Sequence, residues 1–292
     1  MEKQLMVTGA TGHLGKAVIE FLLKKGVPAR NIHALVRDEV KAADLQKTGI
    51  VLHAGNYDDY PSLVTAFTGI DKLLLVSGND IEGRLQQQLN AINAAKEAGV
   101  QHILYTSFTR KNETGSSPIA FVAQSHLATE KHIRASGLQY TILENSLYTD
   151  MLPLFFGEKV LETGIFLPAG DGKTAFATRS NMAEVAANVL AGEGHENKVY
   201  TIAGSANYSL HDAAEVLTGL TGKAISYTSP SSETYVETVT TAGMPAGYAN
   251  MFAAFAEAIR QNEFETAVTD IEKLLGRRPD TLEDYLKTVY VS

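Results

Sequence analysis

The sequence predicts an α/β fold built on a doubly wound, parallel sheet, for three reasons. Over the first half of the 292-residue chain, short apolar runs of strand length alternate with longer segments of helical periodicity. The first apolar run leads into three regularly spaced glycines, and glycines end several of the helical segments. Because such alternation produces parallel strands joined by right-handed crossovers, we expect a sheet with helices on both faces.

Six strands are predicted in this half, each an apolar run bounded by turn residues, at residues 5–8, 32–36, 50–53, 72–76, 102–106 and 139–143. The helices between them are predicted from apolar residues at spacings of three and four. The first follows Gly15 and stops at Gly26, and the others cover residues 41–47, 58–67, 82–98 and 119–135.

From about residue 151 the strict alternation ends, which indicates a smaller, mostly helical C-terminal lobe. A loop and hairpin are predicted at residues 166–177, and a late strand returning to the sheet at 198–203. Helices are predicted at residues 181–190, 210–218, 233–240, 246–260 and 282–290, the last capped by Thr281 with Asp284 three residues on. The main domain is therefore predicted over residues 1–152 with a return at 178–203, and the lobe over 153–177 and 204–292.

Composition excludes several classes of function. Aspartate and glutamate outnumber lysine and arginine by 33 to 25, a net charge of −8, which argues against a nucleic-acid partner. There are no cysteines, and the eight histidines show no close metal-ligand spacing. No run approaches the ~20 apolar residues of a membrane span, and the first strand follows the first residues directly, without a leader. We therefore expect a cytoplasmic protein with no metal, membrane or nucleic-acid partner. The sequence leaves open whether the chain forms a homodimer.

Gly9, Gly12 and Gly15 form a GxxGxxG pattern between the first strand and the first helix, typical of the phosphate-binding turn of a Rossmann-type domain. The first glycine permits a tight turn, the second lets backbone approach a pyrophosphate, and the third lets the helix pack closely on the strand. The unpaired N–H groups that begin the helix then point at the phosphates. The predicted cofactor contacts in this segment are Gly9, Ala10, Thr11, Gly12, His13, Leu14 and Gly15.

Ligands of open α/β sheets bind beyond the carboxyl ends of the strands, where the strand order reverses. Residues that follow the second to fifth strands are therefore also predicted to contact the cofactor: Arg37, Asn56, Tyr57, Ser77, Gly78, Asn79, Thr106 and Ser107. Arg37 can pair with a 2′-phosphate, which favours NADPH, whereas the adjacent Asp38 keeps NADH open. Tyr57 is either a wall beside the adenine or an ordinary aromatic at a strand end.

Four segments carry a family resemblance: TGATGHLG at residues 8–15, LVRD at 35–38, SHLATE at 125–130 and SGLQYTIL at 136–143. With them the chain resembles the NmrA-like branch of the atypical short-chain dehydrogenases. Within that branch it is similar to the type 2 NAD(P)H:quinone oxidoreductases and the triphenylmethane reductases. The resemblance implies a Rossmann domain that binds NADPH and a small lobe that closes over the nicotinamide.

The chain departs from the wider dehydrogenase pattern at its proton donor. That pattern places YxxxK on the helix after the fifth strand, and the alignment puts Val122 at the tyrosine and His126 at the lysine. Hydride delivered to an ordinary ketone leaves a strongly basic alkoxide that needs an aimed acid. Hydride delivered to a quinone or a delocalised carbocation leaves a stabilised product that solvent can protonate. The missing pair therefore favours the second kind of substrate.

Three residues are predicted to act at the reacting end of the site. His126 shares a helical face with Val122 and Glu130, so it either hydrogen-bonds the nicotinamide ribose or is a buried histidine paired with that carboxylate. Asn145 and Tyr148 follow the sixth strand and are predicted to form the pocket wall beside the nicotinamide.

The sequence thus predicts an NADPH-dependent reductase that transfers hydride directly to a small quinone-like or dye-like substrate, without metal or flavin. The main alternative is a non-catalytic redox sensor that binds NADP(H) and regulates a partner. A sugar-nucleotide epimerase is disfavoured because the tyrosine and lysine are missing.

Overall fold

The computed structural model describes residues 2–38 and 40–291. Its strands are β1 (Leu5–Val7), β2 (Ile32–Val36), β3 (Val51–Ala54), β4 (Lys72–Leu75), β5 (His102–Phe108), β6 (Gln139–Asn145), β7 (Ile165–Phe166), β8 (Lys198–Ile202) and β9 (Tyr227–Thr228). Its helices are α1 (His13–Lys24), α2 (Ala43–Gln46), α3 (Tyr60–Phe67), α4 (Arg84–Glu97), α5 (Ala120–Ala135), α6 (Leu152–Phe156), α7 (Val160–Thr163), α8 (Arg179–Ala191), α9 (Leu210–Thr221), α10 (Ser232–Thr241), α11 (Ala246–Arg260), α12 (Ile271–Leu275) and α13 (Leu282–Tyr290).

Seven strands form one parallel sheet in the order β3-β2-β1-β4-β5-β6-β8. This is the doubly wound α/β sheet that the alternating pattern predicts, and the late strand β8 joins it beside β6. The order reverses between β1 and β4, because the chain builds outward from β1 in one direction and from β4 in the other. The loops that follow these two strands therefore flank the place where ligands of such sheets bind.

Separate apolar cores lie on the two faces of the sheet. On one face, side chains of α1 and α8 pack on β1, β2 and β4, with Val18, Ile19 and Leu190 fully buried. On the other face, α3, α4 and α5 cover Met6, Leu73 and Ile103, among others. Both faces of the central strands are thus dry, which explains their near-continuous apolar sequence.

The smaller lobe has an apolar core of its own, in which α6, α9, α11 and α13 bring together Phe156, Leu217, Phe252 and Leu286. The boundaries predicted for this lobe differ from the packing at one place. Ile271 and Leu275 of α12 belong to the core under α8, and the Asp270 N–H donates to the Thr201 carbonyl of β8 (2.8 Å). The chain therefore returns to the main domain between α11 and α13.

The hairpin predicted at residues 166–177 is wrong. Phe166 ends β7, whose partner is the distant β9, and the pairing is parallel. Residues 174–177 instead contact two other segments: Thr174 bridges Tyr208, and Ala177 bridges Tyr148. Among the described residues, no helix is long and apolar enough to cross a bilayer.

Candidate active site

The glycine turn has the backbone geometry that its spacing predicts. Gly9 has φ of +60°, in the left-handed region that favours glycine. The Gly12 N–H donates to the Gly9 carbonyl (2.9 Å), which closes the turn. A Cβ on Gly15 would lie 2.4 Å from the same carbonyl oxygen, so only glycine allows α1 to approach β1 this closely.

The start of α1 fits a diphosphate. Gly12 caps the helix without a side chain, and the first turn contains no acidic residue. The N–H groups there and the positive end of the helix dipole are consequently open to an anion. A Cβ on Gly12 would meet the Gly9 oxygen at 3.2 Å, so the bare backbone forms a cradle that a larger residue would crowd. Leu14 is buried in the core, and its contribution to such a site is restricted to its backbone.

Arg37 lies exposed just beyond β2 and makes no hydrogen bond or ion pair with another described residue. The neighbouring Asp38 has partners of its own in the following turn. The Asp38 carboxylate accepts the Val40 N–H (2.9 Å) and lies 4.0 Å from the Lys41 ammonium. The guanidinium is therefore available to a phosphate, whereas the carboxylate is engaged in the following turn.

Hydrogen bonds of Tyr57 and Thr8 connect the ends of β1 and β4, at the point where the strand order reverses. The Tyr57 hydroxyl donates to Thr8 Oγ1 (2.5 Å), which also accepts the Val76 N–H (2.9 Å). Burial raises the pKa of Tyr57 to about 12, although the hydrogen bond with Thr8 acts to lower this pKa. The phenol therefore stays protonated. Asn56, next to it, is exposed, and its backbone N–H donates to Ser62 Oγ (3.2 Å). The predicted place of Tyr57 beside an adenine remains a prediction.

The loop after β4 is also held to the last residues of β5. The Ser77 N–H donates to Thr106 Oγ1 (2.9 Å), whose hydroxyl donates to Ser77 Oγ (3.3 Å). Gly78 and Asn79 continue the same loop along the sheet edge. Val76, the residue before Ser77, lies beside Gly9, so this loop begins next to the glycine turn.

His126 is buried, with 4% of its surface exposed, and both ring nitrogens have partners. The Arg84 guanidinium donates to Nε2 (3.3 Å), which leaves Nδ1–H to donate to the Tyr105 hydroxyl (2.7 Å). That hydroxyl in turn donates to Gln88 Oε1 (3.1 Å). Burial, with the nearby charges of Arg84 and Arg110, lowers the pKa of His126 to about 3, so the imidazole is neutral.

Of the two alternatives for His126, the buried, hydrogen-bonded histidine is confirmed, but its expected carboxylate partner is wrong. Its partners are Tyr105 and Arg84, and neither is a carboxylate. No ring nitrogen is free for a ribose hydroxyl. Glu130, the expected partner, accepts from Ser107 Oγ (2.5 Å) and from the Arg110 guanidinium (2.9 Å). Ser107, predicted to contact cofactor, thus has its hydroxyl directed at a buried ion pair.

Asn145, the last residue of β6, and Tyr148, just beyond it, are hydrogen-bonded to each other. Asn145 is 3% exposed, and its Oδ1 has no hydrogen-bond partner within residues 2–38 and 40–291. Tyr148 is half-buried, and the Arg179 guanidinium lies 4.7 Å from its ring centroid. Burial raises the pKa of Tyr148, while the Arg179 charge and a hydrogen bond to Asn145 oppose this. A buried, unpaired amide oxygen here is suited to accept from a ligand N–H.

Sequence reasoning missed three cations of this region, Arg84, Arg110 and Arg179. Arg84 could have been noticed, because an arginine at the first residue of a helix meets the positive end of the dipole. The other two carried no such signal. The described part of the chain contains no cluster of three metal-ligating side chains.

The sheet order, the glycine cradle and the cationic residue after β2 together define a dinucleotide-binding protein of the Rossmann type. Comparison with known proteins then gives the family. The model of the NmrA-like family matches residues 1–286, and the chain belongs to that family.

A quinone oxidoreductase, found both as a sequence and as a crystal structure, and a triphenylmethane reductase match nearly the whole chain. Quinone oxidoreductase 2 of Escherichia coli K12 is 38% identical over 288 residues, 98% of each chain. A crystal structure of an NADPH-dependent quinone oxidoreductase from Escherichia coli, complexed with NADPH, superposes with a TM-score of 0.89 at 36% identity, covering 98% of this chain and 99% of that one. The triphenylmethane reductase of Citrobacter sp., complexed with NADP(H), gives a TM-score of 0.89 at 35% identity with the same coverage.

Proposed function

We propose that this chain is an NADPH-dependent reductase that transfers hydride directly to a quinone or a similarly flat, delocalised electrophile. The observation that carries the proposal is the lack of an aimed acid on α5. Val122 stands where the dehydrogenase pattern has tyrosine, and His126 is neutral with both ring nitrogens bonded. NADPH, when bound, supplies the hydride.

Because α5 lacks an acid, the basicity of the reduced product decides which class of substrate the protein can reduce. A reduced ketone is an alkoxide about as basic as hydroxide, so its formation requires a proton in the transition state. A reduced quinone or carbocation spreads its electrons over a conjugated system and accepts its proton from solvent afterwards. The names of the relatives, a quinone oxidoreductase and a triphenylmethane reductase, agree with this chemistry.

The binding roles follow from position. The glycine cradle and the start of α1 would hold the diphosphate, and Arg37 the 2′-phosphate that distinguishes NADPH from NADH. Asn145 and Tyr148 would form the wall beside the nicotinamide. Their task is to orient a flat substrate against the cofactor within a dry pocket, which brings the reacting atoms close without acid or metal.

An NADPH oxidation assay with quinones, ketones and cationic dyes tests the proposal. We expect turnover of quinones and dyes and none of ketones. Equal turnover of ketones would contradict the proposal, because it requires an acid that α5 lacks. Tight NADPH binding without turnover of any substrate would support the redox sensor instead. A homodimer and a cytoplasmic location remain predictions, which size-exclusion chromatography with light scattering and cell fractionation can check.

A further inference from the structure

Arg84 is a buried cation that forms no ion pair within residues 2–38 and 40–291. It is the first residue of α4 and is 8% exposed. One guanidinium nitrogen donates to the neutral His126 (3.3 Å), whereas the buried Nε has no partner within the described part of the chain. Arg84 forms no ion pair with another described residue. The carboxylate of Asp80, which acts electrostatically on Arg84, accepts the Gly83 N–H (3.0 Å) and the Gln87 amide (3.1 Å) instead.

This arrangement is costly unless an anion completes it. Removing an unpaired cation from water costs several kcal/mol. The location at the start of α4 adds repulsion, because a helix begins with its positive end. Arg110, a few residues beyond β5, shows the usual solution, since its guanidinium is 2.9 Å from the Glu130 carboxylate. Arg84 contacts the neutral His126, where Arg110 contacts a carboxylate.

Arg84 lies at the reacting end of the proposed site. Arg84 follows the loop after β4, and its guanidinium reaches α5 at His126. It also acts electrostatically on Tyr148, the predicted wall residue beyond β6. Arg84 is thus placed among the strand ends that the proposed function assigns to the nicotinamide and the substrate, whereas the diphosphate cradle lies at the start of α1.

We propose that Arg84 holds the substrate oxygen on which negative charge develops when a neutral quinone receives hydride. The inference rests on the proposed function. NADPH loses a hydride and becomes NADP⁺, and the quinone gains two electrons and one hydrogen to become a hydroquinone monoanion. A solvent proton then completes the hydroquinone. Arg84 stabilises the anion before that proton arrives, in the manner of an oxyanion-binding group.

The charge of the substrate provides a sharp test. A cationic triphenylmethane dye becomes neutral when it accepts hydride, so no anion forms and Arg84 has nothing to stabilise. Loss of the guanidinium should therefore damage quinone reduction and spare dye reduction. A structural role for Arg84 would damage both reactions equally.

Arg84→Gln and Arg84→Lys are the variants to compare with the wild type. We expect Arg84→Gln to lower kcat/KM for a quinone by about 10²–10³-fold, the range for removal of one oxyanion donor, and Arg84→Lys to recover part of it. Reduction of a cationic dye should change less than about 3-fold or improve. Arg134→Gln, an exposed arginine on α5, serves as the control. Equal losses for quinone and dye would overturn the proposal.

A binding measurement separates the substrate oxyanion from a cofactor phosphate. With NADP⁺ present, para-nitrophenol titrated into the wild type should bind as the coloured phenolate at a pH where free nitrophenol is partly neutral. The groups facing Arg84 there are His126, Tyr105, Tyr148 and Asp80. Arg84→Gln should lose this ionised fraction while retaining its Kd for NADPH. A weakened Kd for NADPH with unchanged phenolate binding would assign Arg84 to the cofactor and overturn the proposal. If the wild type reduces no quinone, the proposed function fails, yet the phenolate titration still tests the anion site.

Discussion

Gly15 shows how one missing side chain fixes the distance between β1 and α1. The nearest backbone atoms to its absent Cβ are the Gly9 oxygen at 2.4 Å and the Gly9 carbon at 2.8 Å. Both belong to the backbone and cannot rotate away. We expect Gly15→Ala to lower the free energy of unfolding by about 1–3 kcal/mol, the usual cost of overpacking, and to weaken NADPH binding as the cradle shifts. Urea denaturation and a cofactor titration measure the two effects.

Gly219 is the matched control, because it lies inside α9 and has no positive φ. Beyond its own helical turn, no described atom lies within 4 Å of the position that an alanine methyl group would take. Gly219→Ala should raise the stability by roughly 0.5–1 kcal/mol, since alanine is the better helix former. If both alanine variants changed the stability alike, the close approach at Gly15 would not be the cause of the loss of stability in Gly15→Ala.

Arg37 is the residue that should distinguish the two nicotinamide cofactors. Its guanidinium has no hydrogen bond or ion pair within residues 2–38 and 40–291, so pairing with a 2′-phosphate breaks no existing contact. A charge-assisted hydrogen bond contributes about 1.5–3 kcal/mol, which corresponds to about 10- to 100-fold in affinity. We expect Arg37→Ala to weaken NADPH by that factor and to leave NADH within about 2-fold. An unchanged NADPH/NADH preference would refute the assignment, and Arg30→Ala, which removes another exposed arginine, is the control.

The partners of His126 illustrate what sequence reasoning could not reach at this scale. Helical periodicity placed His126 on the correct face of α5, because a fixed spacing defines a face. Its actual partners, Tyr105 and Arg84, are 21 and 42 residues away along the chain. No local pattern connects positions so distant, whereas Glu130, four residues away, was the nearest partner a helix could offer.

At the scale of elements, Lys72 joins β4 to the end of α8. Its buried ammonium donates to the carbonyl of Gly192, the residue that caps α8, and lies 3.7 Å from the Glu193 carboxylate. A cation at the negative end of a helix dipole stabilises the helix. Lys72→Met should leave that carbonyl without its donor and lower the free energy of unfolding by about 1–3 kcal/mol.

Lys3 offers a matched comparison, because its ammonium contacts the same Glu193 at 2.7 Å but is exposed to solvent. Exposed ion pairs contribute at most about 1 kcal/mol. Lys3→Met should therefore change the urea midpoint little. If the two variants lost equal stability, the effect of Lys72 would come from its contact with the Glu193 carboxylate and not from its contact with the end of α8.

Elements with a strong periodic pattern could be predicted closely, and short ones could not. The helices predicted at residues 246–260 and 282–290 are confirmed as α11 and α13, the latter with the Thr281–Asp284 capping box. The two-residue strands β7 and β9 escaped prediction, because two residues show no periodicity and their pairing joins segments about 60 positions apart. The short helices α6, α7 and α12 were missed for the same lack of pattern.

At the scale of the whole molecule, the late strand β8 was predicted from the run at residues 198–203, and the sheet class from the alternation of elements. It did not predict that α12 would pack under α8 in the main domain. That contact depends on Ile271 and Leu275, two apolar residues in a five-residue helix, which either core could have accommodated. The sheet class follows from the general rule that alternating strands and helices form a parallel sheet with right-handed crossovers. The place where a short helix packs depends instead on which apolar surface the other elements leave uncovered.

Several neutral histidines inside the fold should make the whole protein sensitive to acid. Burial lowers the pKa of His33 and of His102 to about 4, and that of His126 to about 3, from an ordinary value of 6.5. The unfolded chain binds these protons as the pH falls below about 6.5, and the folded chain does not until much lower pH. Stability is therefore complete above pH 6.5 and declines toward pH 4. Glu144 and Glu263 act oppositely, because burial raises their pKa values and the fold favours their protonated forms.

His102 isolates this effect. Thr141 Oγ1 donates to the His195 carbonyl (2.7 Å) and so accepts from His102 Nε2 (2.8 Å), while the buried Nδ1 has no partner among the described residues. Lys72, His195 and Lys3 further lower the pKa of His102, and Glu196 opposes them. In His102→Gln the amide can still donate to Thr141 but cannot take a proton. We expect urea denaturation to show a loss of stability between pH 7.5 and 5.0 that is smaller in the variant than in the wild type by about 1–2 kcal/mol. His211→Gln, at an exposed histidine, is the control, and a loss in His102→Gln as large as that of the wild type would place the acid sensitivity elsewhere.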